Sequence, residues 1–96
     1  MSLERKWEVI IDKNCDAETF FKVADILELK LNLTFTNKLN DLGSYYWDFN
    51  YKDVELVLHY NIYMGISVFP NALEKATESE NQKVLEVSDL IQRELS

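Results

Sequence analysis

The feature that most constrains this chain is an aromatic hairpin. Tyr45-Tyr46-Trp47-Asp48-Phe49-Asn50-Tyr51 is followed, after two residues, by Val54-Glu55-Leu56-Val57-Leu58-His59-Tyr60. A turn at Lys52-Asp53 suits a two-residue hairpin loop, although these loops favour Asn-Gly. Pairing outward from it sets Tyr51 opposite Val54, Phe49 opposite Leu56, Trp47 opposite Leu58 and Tyr45 opposite Tyr60. Strand side chains alternate between faces, so these eight share one face. Asn50 with Glu55, Asp48 with Val57, and Tyr46 with His59 fall on the other. A slip of one residue would mix the two sets, so the hydrophobic pattern specifies this register. The first set is expected to be core.

The flanking segments complete an α+β plan. Trp7-Glu8-Val9-Ile10-Ile11-Asp12 reads as a short strand with Trp7, Val9 and Ile11 on one side. Lys13-Asn14-Cys15 is a turn and Asp16 an N-cap, with Glu18 in the first turn. A helix follows over about residues 17–30. Phe20, Val23, Ala24, Leu27 and Leu31 recur at three and four residues and form its buried stripe. Phe21, Ile26 and Leu29 widen that stripe, which suggests cover on two sides. Leu27, Leu29, Leu31, Leu33 and Phe35 also alternate like a strand, so the switch is placed near Asn32. Leu33-Thr34-Phe35-Thr36-Asn37 is then a second strand and Asn40-Asp41-Leu42-Gly43-Ser44 a loop.

Beyond the hairpin, Asn61 punctuates a second one, and residues 62–69 form the last strand. Ile62, Met64, Ile66 and Val68 are its apolar side; Tyr63, Gly65, Ser67 and Phe69 line the other. If the even set joins the core, the connection needs an odd number of residues, such as His59-Tyr60-Asn61. Gly65 marks a bulge or a close approach of other atoms, and Pro70 ends the strand. Residues 71–77 are either a preceding helical turn or a mobile connection. Thr77-Glu78-Ser79-Glu80 and Ser79-Glu80-Asn81-Gln82 fit capping boxes. A second helix over about residues 80–94 places Val84, Val87, Ile91 and Leu95 on one face, flanked by Leu85 and Leu90. The order β-α-β-β-β-β-α predicts a single domain spanning residues 1–96. Its architecture is a two-layer α+β sandwich, a mainly antiparallel sheet of four to five strands with two helices on one face.

Ninety-six residues suffice for one core. An apolar fraction of 47% beside 28% charged residues is globular in character. Seventeen acidic residues against ten basic ones give a net charge of −7. That balance argues against nucleic acid and anionic membranes and favours a basic partner. A lone cysteine, no secretory leader pattern and no apolar run near the ~20 residues of a membrane span suggest a cytoplasmic protein.

Few residues suggest chemistry. One His and one Cys do not make a zinc motif, and no calcium loop is present. Cys15 and His59 are the only plausible nucleophile and base, and nothing in the sequence joins them. Asp48, Asp53 and Glu55 are the carboxylates one would try in acid–base roles. Gly43 and Gly65, the only glycines, do not make a phosphate cradle. No catalytic residue, cofactor or metal is therefore assigned.

A surface is the stronger candidate. Tyr46, Asp48, Asn50, Glu55, Val57 and His59 form a mixed aromatic and acidic face, extended by Tyr63 and Phe69 if the last strand adjoins the hairpin. Tyrosine beside carboxylates suits recognition of a basic protein. The partner-binding set is Tyr46, Asp48, Asp53, Glu55, His59 and Tyr63. A second acidic stretch, Glu74, Glu78, Glu80 and Glu86, reads as a solvated helix flank. By functional analogy alone, a small acidic domain without catalytic residues resembles an inhibitor or immunity protein that neutralises a basic toxin, such as a nuclease, by masking its active site. The alternatives are a homodimeric regulatory or adaptor domain, joined through the exposed sheet face or the edge of residues 7–12, and a small-molecule enzyme.

Overall fold

The computed structural model describes residues 8–13, 16–71 and 78–95. The elements are β1 (Val9–Asp12), α1 (Ala17–Asp25), β2 (Phe35–Asp41), β3 (Ser44–Tyr51), β4 (Val54–Asn61), β5 (Gly65–Pro70) and α2 (Glu78–Leu95). One antiparallel sheet runs in the order β1-β5-β4-β3-β2, so β1 and β2 are its edges. Trp7, Cys15, Glu74 and Thr77, on which parts of the sequence reading rest, lie outside the described residues, as do residues 72–76 between Asn71 and Thr77.

The hairpin register is the one its pattern dictates, from Tyr51 opposite Val54 to Tyr45 opposite Tyr60. Its aromatic face meets both helices. Phe20 of α1 is fully buried, 4.9 Å from the Trp47 ring centroid, 5.2 Å from Tyr45 and 5.8 Å from Tyr60. Val84, Val87 and Ile91 of α2 belong to the same buried core as Ile11, Leu56, Leu58, Ile66 and Val68. Burying each such side chain contributes about 1.5–3 kcal/mol relative to exposure. Trp47 is capped from the edge: its indole N–H donates to Asn40 Oδ1 at 2.8 Å, and Lys38 Nζ sits 4.4 Å above its ring.

α1 begins where Asp16 Oδ1 accepts the Glu18 N–H at 3.0 Å. It ends in a π-helical turn, Ile26–Lys30, closed by Leu31 N–H to Ile26 O at 3.2 Å. Asn32, with φ 55°, then reverses the chain, as a short polar residue in the left-handed region can. Two expectations are corrected here. Leu29 is exposed rather than covered, and Phe21 keeps only one side of its ring against Tyr45 and Trp47 while the other faces solvent. β2 runs on to Asp41, which shrinks the expected loop over residues 40–44 to a turn at Leu42-Gly43.

The last hairpin is also shifted. Its connection is odd-numbered, as the core pattern requires, but consists of Ile62-Tyr63-Met64 rather than His59-Tyr60-Asn61. The first hairpin therefore keeps its full length. Ile66 and Val68 are core, whereas Ile62 and Met64 are exposed in the turn. Gly65, with φ 92°, follows that turn; a Cβ there would collide with the Asp12 carbonyl oxygen and lie 2.9 Å from Lys13 Cα.

Candidate partner-binding surface

The sheet face turned away from the helices brings together four of the six expected residues: Tyr46, Asp48, Glu55 and His59. Tyr46 and His59 are cross-strand neighbours with stacked rings, centroids 4.5 Å apart and planes at 18°. Phe69 meets His59 edge-on at 5.6 Å. His59 is only 6% exposed, and Val57, Ser67 and Phe69 are buried as well. The centre of this face is therefore a packed layer, which corrects the expectation that His59, Val57 and Phe69 present themselves directly. His59 serves as the support of the half-buried Tyr46 ring.

Around that layer the electrostatics are one-sided. Asp41, Asp48 and Glu55 occupy strand positions on this face, and the Glu8 carboxylate accepts the Ser67 hydroxyl. Among the described residues, no strand position on this face holds Lys or Arg; Lys38, the one cation within the described strands, shares the helix-side face with Trp47. Glu55 is exposed, and Asn71 binds it twice, through its backbone N–H to the Glu55 carbonyl at 3.0 Å and its amide to Oε2 at 3.4 Å.

Asp53 is placed at one end of the sheet. Lys52 and Asp53 have φ 50° and 67°, the pair of left-handed residues that a type I′ turn needs. Asn50 Oδ1 accepts the Asp53 N–H at 3.1 Å. Lys52 Nζ lies 3.0 Å from Glu86 Oε1, to which the Tyr51 hydroxyl also donates at 3.2 Å, and Lys83 lies 3.5 Å from the same carboxylate. The Lys52 bond holds the Glu86 carboxyl below its ordinary pKa and raises that of Lys52. Glu86 is thus an internal tie between hairpin and helix, not a free acid on a helix flank.

Tyr63 is placed at the opposite end, about 25 Å away along a strand of eight residues. There the turn after β2 and the turn after β4 are bonded together. Ile62 N–H donates to Gly43 O at 3.0 Å, and Asn61 Nδ2 donates to Ser44 Oγ at 3.0 Å. Within them, Asn61 Oδ1 accepts the Tyr63 N–H and Asp41 Oδ1 the Leu42 N–H, both at 2.8 Å. The platform carries Leu42 (98% exposed), Tyr63 (84%), Met64 and Ile62. Sequence reasoning named Tyr63 but missed the other three. Asn61, as an Asx-turn former two residues before Tyr63, is the signal that would have placed this turn.

Among the described residues, no three His, Cys, Asp or Glu side chains are grouped to hold a metal ion. No described helix is long and apolar enough to cross a membrane. Glu78 and Glu80 open α2, favourably placed for its dipole. Comparison with known families, curated proteins and solved structures finds no match to this chain.

Proposed function

We propose that this chain is a binding protein that recognises a basic protein, acting as an inhibitor or immunity protein does on a toxin such as a nuclease, rather than an enzyme. The observation that supports this reading most is the charge segregation on the sheet face away from the helices. Asp41, Asp48 and Glu55 stand there with Glu8, no described strand position on that face supplies a cation, and Tyr46 is stacked among them on His59. Carboxylates so arranged steer a cationic partner, and a rigid half-buried tyrosine offers contact area at small entropic loss. Asp48, Asp53 and Glu55 would pair with lysines or arginines of the partner, and occlusion of its active site would be steric. A cytoplasmic setting agrees with the single cysteine of the sequence.

The test is affinity capture from the source cells at low and at high salt, read by mass spectrometry. The reading expects one basic protein in stoichiometric yield, released as salt rises. A second reading, a homodimer, draws on the sheet's unclosed edge at β2, where Thr36 to Asp41 are all exposed. Lys38 and the bulge between Phe35 and Asn37 work against edge pairing there. A mass that rises with concentration in sedimentation would favour the dimer.

A further inference from the structure

We propose that the paired turns at the Tyr63 end of the sheet form an apolar wedge that inserts into a cleft of a basic protein, with Leu42, Ile62, Tyr63 and Met64 as the inserted side chains. The inference rests on the reading above and adds where the apolar contact is made and what shape the partner must have.

Three observations carry it. The first is exposure against type: four large apolar side chains from two different turns stand in solvent, where apolar clusters on a monomer mark interaction sites. The second is rigidity. The bonds between Ile62 and Gly43 and between Asn61 and Ser44 lock the turns to each other. Gly43, with φ 72°, leaves only 3.1 Å between a would-be Cβ and Ile62 Cδ1, so the two turns touch closely. A pre-ordered protrusion loses little conformational entropy on docking.

The third observation selects the occupant. Residues 41–44 and 61–65 hold one carboxylate, Asp41, and no cation. Asp41 also belongs to the acidic sheet face, which continues through Tyr46 and Asp48 away from the wedge. The complement is an apolar cleft with Lys or Arg on the rim that meets the sheet. A second copy brings the same carboxylates and a further −7 charge to the contact, and an anionic bilayer repels them. A protruding tip also fits a concave site, the shape of an active-site cleft.

The experiment titrates isotope-labelled full chain with three synthetic helical peptides and follows the backbone amide resonances. One peptide alternates Lys and Leu amphipathically, the second replaces every Leu by Ala, and the third replaces every Lys by Glu. The Lys/Leu peptide should shift the amides of Leu42, Gly43, Ile62, Tyr63 and Met64 together with those near Tyr46 and Asp48. The Lys/Ala peptide should bind about tenfold more weakly or worse, and the Glu peptide not at all. The double variant Leu42→Ser/Met64→Ser, whose changed side chains are exposed, should lose at least the same factor for Lys/Leu while its spectrum stays folded. Equal binding of Lys/Leu and Lys/Ala, with shifts on the sheet face only, overturns the wedge and leaves the acidic-face reading standing. Binding of neither overturns both. Sedimentation showing a dimer abolished by the double variant, or retention on phosphatidylcholine vesicles abolished by it, overturns the cleft in favour of a second copy or a bilayer.

Discussion

The Tyr46 ring lies against the His59 imidazole at 4.5 Å, while Phe69 meets the same imidazole edge-on at 5.6 Å. A histidine on the face away from the helices is thus flanked by aromatic neighbours on two strands. Aromatic pairs of this kind contribute about 0.5–1.5 kcal/mol each beyond their area. His59→Ala should destabilise the fold by about 2–3 kcal/mol through the lost ring contacts and the cavity, whereas His59→Phe, which keeps a ring in the site, should cost less. Urea unfolding measures both. A His59→Ala effect near zero would show that the outer layer is not packed.

Phe20 and Phe21 are neighbours in sequence with unequal burial. Phe20 is fully buried among Trp47, Tyr45 and Tyr60, whereas Phe21 lies at the rim, against Tyr45 and Trp47 on one side and solvent on the other. Phe20→Ala should cost about 3–5 kcal/mol and Phe21→Ala about 1–2 kcal/mol. Comparable losses for the two, in thermal or chemical denaturation, would mean that α1 is rotated from its observed position.

Backbone conformation separates two turn positions. Gly65→Ala forces a Cβ onto the Asp12 carbonyl and should destabilise by about 2 kcal/mol or more, or prevent folding. Asp53 already sits at φ 67°, so Asp53→Gly relieves strain. It should be neutral or stabilising by up to about 1 kcal/mol. A clear loss for Gly65→Ala and no loss for Asp53→Gly in one denaturation series is the expected pattern.

The tie between Lys52 and Glu86 is pH-dependent in a definite sense. Glu86 has its pKa lowered by the Lys52 bond, so its stabilising contribution is complete above the ordinary value of 4.5 and is lost as pH falls through the depressed folded value. Lys52 is raised, so its part is complete below 10.5 and lost as pH rises through its elevated value. A carbon-detected NMR titration should place the Glu86 midpoint below that of an unpaired glutamate, and Lys52→Ala should move it upward. An unchanged midpoint in Lys52→Ala would remove the pair from the account.

Much of the fold was legible because two periodicities were strong. Alternation across residues 45–60 admits one register, and Phe20, Val23, Ala24 and Leu27 leave one helix face to bury. What was misread lay where local pattern and turn geometry compete. Ile62 and Met64 continue the apolar alternation of Ile66 and Val68, yet the Asn61 side chain captures the Tyr63 N–H and turns the chain before the strand begins. Asn40 and Asp41 look like loop by composition, yet the Trp47 indole needs Asn40 and its ring is covered by Lys38, which holds β2 in the sheet. Of the candidate site, alternation alone grouped Tyr46, Asp48, Glu55 and His59. Burial of His59 was not legible, since alternation assigns a residue to a face without saying whether that face is covered.

The most direct test of the account is the association rate of the captured partner as salt is varied, measured for the native chain and for Asp48→Lys/Asp53→Lys/Glu55→Lys. The account predicts a native rate that falls about tenfold or more from low to high salt, and a variant whose rate is lower at low salt and nearly independent of salt. Equal rates with equal salt dependence in the two proteins would contradict it.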